Sequence, residues 1–197
     1  MHLNRCLALT FDDGPSDQTT EALLDSLEQY GVKATFFLVG QRVAVHPNST
    51  RKIVSFGHEL GNHSYSHPMF HKITDEQVRI ELSRTQEEIY RACGVVPRWF
   101  RPPYGFLLPT QRQLVKEQDL TTILWNVDPQ DWSRPGTDSI VKRIVENIQT
   151  GSIILCHDLH YQTVEAIPFI LDHLLDKGYE FLTVTELRTR EHLLARS

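Results

Sequence analysis

Apolar positions along this chain arrive in short runs of two kinds, and the two kinds alternate from end to end. Short β-rich runs read as strands: Cys6–Phe11, Thr35–Val39, a short one at His58–Gly61, Trp99–Arg101, Thr121–Val127 with its β-branched residues, Ser152–Cys156 and Tyr179–Val184. Between them, apolar residues recur at helical spacing. Ala22, Leu23, Leu24 and Leu27 mark a helix over Gln18–Tyr30, closed by Gly31. Ile140, Val141, Ile144, Val145 and Ile148 mark another over Thr137–Gln149. Further helices are predicted around Thr50–Phe56, over Thr110–Glu117 and Val164–Lys177, with a short one at the C-terminus. Thr74-Asp75-Glu76-Gln77 has the form of a capping box opening the longest helix, which runs to about Cys93 before Gly94. Strands separated by helices predict a mostly parallel α/β sheet. No repeat or linker interrupts it, and residues 1–197 are expected to form a single domain.

The polar residues that break this pattern fall in a few places. Asp12 and Asp13 stand side by side at the end of the first apolar run, just before Gly14-Pro15. Like charges at contact distance repel, and burying each is costly unless something compensates. A divalent cation is the simplest compensation. The segments His63–His67, Arg101–Tyr104, Asp128–Trp132 and His157-Asp158 also lie at or just beyond the C-terminal ends of predicted strands. In a parallel (β/α) barrel those ends converge on one face, where active sites sit.

Composition narrows the class of partner. Apolar content of 40% and charged content of 23% are ordinary globular usage. With 20 basic against 25 acidic residues and no Lys/Arg block, neither nucleic acid nor an anionic membrane surface is expected. A neutral substrate fits better. Cys6, Cys93 and Cys156 form no CxxC and cannot all pair, so Cys6 and Cys156 read as small buried hydrophobes. No signal peptide is visible, and no run approaches the ~20 apolar residues of a membrane span. As it stands the chain is expected in the cytoplasm. As a catalytic domain parted from an export signal, it is expected in the cell envelope or outside the cell.

The clusters carry recognisable chemistry. His63 and His67 form an H-x3-H pair that a helix or a tight loop can aim at one point. With Asp13 they offer two imidazoles and a carboxylate, leaving positions for water and substrate; Zn²⁺ suits that set, and so does Fe²⁺. Asp12 is placed to act as a base, provided the backbone turns so that both carboxylates face one way, and Gly14-Pro15 offers a turn. His157 can supply a proton to a leaving group. Arg101 needs an anion if it is buried, and Asp12 is the candidate. Pro102 and Pro103 have no N–H, which makes Tyr104 N–H the next donor, aimed at an oxyanion. Asp131 suits orienting His157, Trp132 offers an aromatic wall, and Leu155 a lining for a methyl-sized pocket. Among other histidines, His2, His46, His173 and His192 read as surface residues and His160 as rim. His58 and His71 read as structural, and Asp158 as turn geometry.

Taken in order, Thr10-Phe11-Asp12-Asp13-Gly14-Pro15, His63-Ser64-Tyr65-Ser66-His67, Arg101-Pro102-Pro103-Tyr104-Gly105, Asp128-Pro129-Gln130-Asp131-Trp132 and Ile153-Ile154-Leu155-Cys156-His157-Asp158 resemble the five motifs of polysaccharide deacetylases. This is the NodB-homology group, carbohydrate esterase family 4, and the match spans about residues 6 to 187. The resemblance implies a deformed (β/α) barrel of about seven parallel strands. It implies metal-dependent removal of acetyl groups from N-acetylglucosamine units in peptidoglycan, chitin or chitooligosaccharide. Carried over position by position, it makes Asp12 the base and Asp13, His63 and His67 the ligands of Zn²⁺, with Co²⁺ or another divalent ion as alternatives. It makes Arg101 the holder of the base, Tyr104 the oxyanion donor, Asp131 the tuner of the acid His157, and Trp132 and Leu155 the acetyl pocket. An N-acetylated glycan is the implied partner, and a monomer is expected. An O-acetyl esterase acting on xylan-like glycans and a non-catalytic sugar-binding module are the alternative readings; the complete set of base, acid and oxyanion partners speaks for turnover.

Overall fold

The computed structural model describes residues 5–195, so His2 lies outside the described residues. In chain order the elements are β1 (Cys6–Asp12), α1 (Thr19–Gln29), β2 (Thr35–Leu38), α2 (Gly40–Val45), α3 (Pro47–Ser55), β3 (Glu59–Asn62), α4 (Asp75–Cys93), β4 (Trp99–Phe100), α5 (Pro109–Glu117), β5 (Thr121–Thr122), α6 (Thr137–Asn147), β6 (Ser152–His157), α7 (Tyr161–Asp176), β7 (Glu180–Phe181) and α8 (Val184–Leu194). Seven parallel strands form one sheet in the order β5-β4-β3-β2-β1-β6, with β7 beside the start of β1. One edge of β1 is taken by β6 from Leu7 to Asp12; the other is shared by β7 at Cys6 and Leu7 and by β2 from Thr10 to Asp12. The sheet curls shut where Val127 bridges Ile154 and the N–H of Leu155 donates to the Val127 carbonyl at 2.9 Å. This is the deformed barrel that the motifs imply. No helix of the described residues is long and apolar enough to cross a membrane.

Alternation along the strands decides which side chains enter the barrel. Leu7, Leu9 and Phe11 pack with Leu23 and Leu27 of α1 and Ile167 and Leu171 of α7. Cys6 and Ala8 face the other way, into a cluster with Phe37, Ile153 and Leu182. Continuing that inner row by twos brings Thr10 and Asp12 inward on β1, and Leu155 and His157 inward on β6. The register sets Asp12 opposite His157 and Thr10 opposite Leu155. A slip of one residue would drive Asp12 among the helices and turn three large apolar side chains into the barrel, and each of those contributes about 1.5–3 kcal/mol by its burial.

The local signals hold well for α4. Thr74 Oγ1 accepts the Gln77 N–H at 3.3 Å, Gln77 Oε1 accepts the Thr74 N–H at 2.9 Å, and Gly94 closes the helix in the left-handed region. The expected strand Thr121–Val127 is shorter: Ile123 N–H still donates to the Phe100 carbonyl, but the Leu124 carbonyl turns away to the Arg101 guanidinium at 3.3 Å. Helix α2 was not foreseen from the pattern. Its first N–H groups, from Gly40 and Gln41, donate to the carbonyls of Ser64 and Tyr65, which moors the loop after β3. Residue 40 must be glycine for this, because a Cβ there would lie 2.6 Å from the Tyr65 ring. All three cysteines are free, with Cys6 and Cys156 buried as expected.

His58, just before β3, is 6% exposed and packs edge-on to Phe36. Its Nδ1 accepts the Ala34 N–H at 3.1 Å, so the ring is held neutral. Burial first, and the charge of Lys33 second, push its pKa down to about 4. A folded value below the unfolded ~6.5 means stability is fully present above about pH 6.5 and is lost as pH falls towards 4. The loss from this one group amounts to about 3 kcal/mol by pH 4. His58→Gln keeps an acceptor for Ala34 without titrating, so its denaturation midpoint should fall less between pH 7 and 4.5 than that of the parent; an equal fall would remove His58 from the account.

Candidate active site

Asp12 ends β1 with its side chain directed into the barrel and 2% exposed. Strict alternation would send Asp13 outward. Instead Asp13 adopts φ 76°, a left-handed conformation that turns both carboxylates to the same mouth. The turn anticipated at Gly14-Pro15 therefore occurs at Asp13 itself. One Asp13 oxygen lies 3.4 Å from His63 Nε2 and 3.3 Å from His67 Nε2.

The H-x3-H segment is a loop, not a helix, with Ser64 at φ 66° and His67 at φ 59°. Several side chains hold it in that shape. Asn62 Oδ1 accepts the Ser64 N–H, and the Glu81 carboxylate accepts the N–H groups of Tyr65 and Ser66 and the Ser66 hydroxyl. His63 Nδ1 is 2.7 Å from the Arg101 carbonyl, which can only accept, so the proton sits on Nδ1 and the Nε2 lone pair faces Asp13. Burial alone would raise the Asp13 pKa, but the His63 hydrogen bond and the charges of His63, His157 and His67 outweigh it and hold the carboxyl well below its usual range. His63 is raised despite its burial, by Asp12 and Asp13, while burial holds His67 down. One oxygen and two imidazole nitrogens, all within 4.8 Å of one another, are a donor set that fits a divalent cation.

Arg101 is the largest fully buried side chain of the described residues. Its Nη1 donates to Asp12 Oδ1 and to Thr10 Oγ1, each at 2.7 Å, and its guanidinium lies 4.0 Å from the Phe37 ring and 5.5 Å from that of Trp125. The second Asp12 oxygen is left facing the mouth, 3.6 Å from His63 Nε2. Across the barrel, Asp131 is buried and saturated. Its Oδ1 is 2.7 Å from His157 Nδ1 and accepts the Trp132 N–H, and its Oδ2 accepts the His157 N–H and the Thr163 hydroxyl. Burial opposes protonation of His157, but the Asp131 hydrogen bond and charge prevail and lift its pKa to about 9. The same contacts hold Asp131 below its usual value against its own burial.

These groups share one cavity of about 430 Å³, which Asp12, Asp13, His63, His67 and His157 all line. Leu155, at 3% exposed, Pro102 and Trp125 give it apolar walls, while Trp132 and Tyr104 stand exposed at its lip. Tyr104 sits in the left-handed region at φ 60° with its ring edge-on to His67, and the turn bonds here use the N–H groups of Gly105 and Phe106, not that of Tyr104. The structure thus brings together all the residues singled out for the site. It adds Thr10, Asn62, Glu81, Trp125 and Thr163, which reading the sequence missed. Thr10 lies on the inner row of β1 and was legible from its parity with Asp12; Thr163, inside α7, carried no signal. Asp158 is fully buried behind the first motif, accepting the Thr20 hydroxyl at 2.6 Å, and His160 is a neighbour of His157 at 6.1 Å between rings. His46, expected at the surface, is half-buried, its Nδ1 2.9 Å from an Asp17 oxygen.

A family model described as polysaccharide deacetylase matches residues 2–123. A peptidoglycan-N-acetylglucosamine deacetylase of Bacillus cereus is 39% identical over 185 residues, covering 92% of this chain and 67% of that protein. The peptidoglycan-N-acetylglucosamine deacetylase PgdA of Listeria monocytogenes is 36% identical over 184 residues, covering 93% of this chain but 39% of its own length. Among solved structures, that of the peptidoglycan deacetylase PdaC from Bacillus subtilis superposes with a TM-score of 0.92 at 35% identity, covering 100% of this chain and 96% of that one.

Removing Arg101 should be more damaging than removing the pair it belongs to. Arg101→Met leaves Asp12 buried without its cation and is expected to cost about 3–5 kcal/mol in urea denaturation. Adding Asp12→Leu should return at least half of that. Equal midpoints for the single and double variants would show that the ion pair is not what the guanidinium is buried for.

Proposed function

The chain belongs to the polysaccharide deacetylase family, and on that premise we propose that its site hydrolyses the acetamide of N-acetylglucosamine units in a glycan, releasing acetate. The observation that carries this reading is the meeting, in one cavity, of a carboxylate held by a buried guanidinium, a three-donor metal set and an imidazole held by a buried carboxylate. Residues 1–197 act as one catalytic domain in this reading, working as a monomer. Peptidoglycan, chitin and chitooligosaccharides all present the required acetamide.

Asp13, His63 and His67 would hold a divalent ion, proposed as Zn²⁺ with Co²⁺ or another divalent ion as alternatives. A divalent ion bound there supplies Lewis acidity to the acetamide carbonyl and to a water molecule. Asp12 takes the proton of that water on the oxygen that Arg101 leaves free. Water adds to the carbonyl carbon, and Tyr104 N–H donates to the oxyanion so formed. His157, protonated and aimed by Asp131, gives its proton to the nitrogen as the carbon–nitrogen bond breaks. Leu155 and Trp132 receive the acetyl methyl group. Acetate leaves, and a free amine remains on the sugar.

The direct test is acetate release from N-acetylglucosamine oligomers by chelator-treated protein, before and after adding Zn²⁺ or Co²⁺. Release should return with metal, and Asp12→Asn should lower it by about 10²-fold or more while still binding the ion. Metal binding without release from any N-acetylated oligomer would sink the reading and move attention to O-acetylated glycans.

The pH profile supplies a second check. Since His157 must be protonated to act, kcat/KM is lost as pH rises through its folded pKa, about 9 in the absence of an ion. A bound cation draws that value down by repulsion. In Asp131→Asn the hydrogen-bonded charge that raises it is gone, so the alkaline limb should move at least one pH unit towards the ordinary ~6.5 of histidine. A limb that stays in place in Asp131→Asn would mean that another group donates the proton.

A further inference from the structure

A second cavity of about 500 Å³ lies against the first, sharing Asp13 and His67 with it. Val39, Val45 and Leu159 contribute apolar walls, and Arg42 from α2 brings a guanidinium to it. Arg42 is half-buried, and among the described residues its side chain makes no hydrogen bond and no ion pair. None of the nearby carboxylates lies within ion-pair distance of it among the described residues. Asp13 faces His63 and His67; Asp17 accepts the Ser49 hydroxyl at 2.9 Å and lies 2.9 Å from His46. Asp158 is fully buried, its charge couples to Arg42 without an ion pair, one of its oxygens accepts the Thr20 hydroxyl and the other has no hydrogen-bond partner. An arginine lining a concave, partly apolar site with no anion within ion-pair distance suits a ligand that carries one. Its planar fork matches a carboxylate in particular.

We propose that this second cavity is a subsite for the sugar flanking the one deacetylated, and that Arg42 there pairs with a carboxylate borne by that sugar. The inference rests on the deacetylase reading and sharpens it. Because the two cavities meet at Asp13 and His67, a chain with its acetamide in the first can continue past these residues, and the second is concave enough to take its next ring. The apolar walls suit the C–H face of a pyranose and a short alkyl ether arm; the guanidinium suits the acid at the end of that arm. The preferred substrate class is then an acidic glycan whose sugars alternate between N-acetylglucosamine and a carboxylate-bearing N-acetylhexosamine, ahead of a neutral homopolymer.

Three tetrasaccharides test this with the metal-loaded full chain: alternating N-acetylglucosamine and N-acetylmuramic acid, the methyl ester of that compound, and the neutral N-acetylglucosamine tetramer. The parent protein should favour the free acid over its methyl ester by about tenfold in kcat/KM, less at high salt because the arginine is only half-buried. Arg42→Gln should bring that ratio close to one, and Arg42→Lys should restore part of it, with thermal melts showing that both variants are folded. Arg134, which lines a neighbouring cavity with Leu159 and His160, provides the comparison variant Arg134→Gln. A parent that does not distinguish acid from ester, a ratio that survives Arg42→Gln, or one that collapses only in Arg134→Gln would each overturn the assignment while leaving the deacetylase reading intact. Acetate released from none of the three compounds would defeat both.

Discussion

A guanidinium fully buried inside the barrel is the constraint around which the mouth of this protein is arranged. Arg101 carries its charge into a space where leaving it unpaired would cost several kcal/mol, and every neighbour answers to that. Asp12 supplies the counter-charge, Thr10 a hydroxyl oxygen, Leu124 a carbonyl, and Phe37 and Trp125 the faces of their rings. The same residue's own carbonyl fixes the tautomer of His63. Three segments far apart in sequence are thereby tied to one side chain, and the early end of β5 follows from the same demand, since the Leu124 carbonyl leaves the ladder to meet it.

On this frame the site separates its charged groups into two dyads, to which the proposed reaction gives opposite parts. The Asp12–Arg101 pair leaves one carboxylate oxygen facing the cavity, able to receive a proton. The Asp131–His157 pair leaves one imidazole nitrogen facing it, with a raised pKa and so a proton to give. Register places Asp12 and His157 opposite each other on adjacent strands, so acceptor and donor stand on one rim by construction of the sheet.

Much of this was legible in the residues. The alternation of strand and helix was plain because buried parallel strands are apolar on both faces and amphipathic helices are not. Motif spacing named Asp12, Asp13, His63, His67, Arg101, Tyr104, Asp131, Trp132, Leu155 and His157, and all of them meet at one mouth. Less legible were the supports. Helix α2 is short and carries no strong apolar period, and Thr163 is one polar residue on a helix. Trp125 was concealed inside a run read as continuous strand. Such residues act through contacts with distant parts of the chain, and a local pattern contains no trace of a distant partner.

What the sequence by itself determined is the set of elements, the inward parity of Thr10 and Asp12, and the types of chemistry available, because propensity, period and side-chain character are properties of neighbouring residues. What only the tertiary structure decided is direction. The left-handed turn at Asp13 swings the second carboxylate to the histidines, the bent segment after β5 brings Leu124 and Trp125 to Arg101, and the hydrogen bonds to Asp131 select which nitrogen of His157 faces the cavity. Each of those outcomes sets the cost of a local distortion or a buried charge against contacts made across the barrel, and that balance exists only once the barrel has closed.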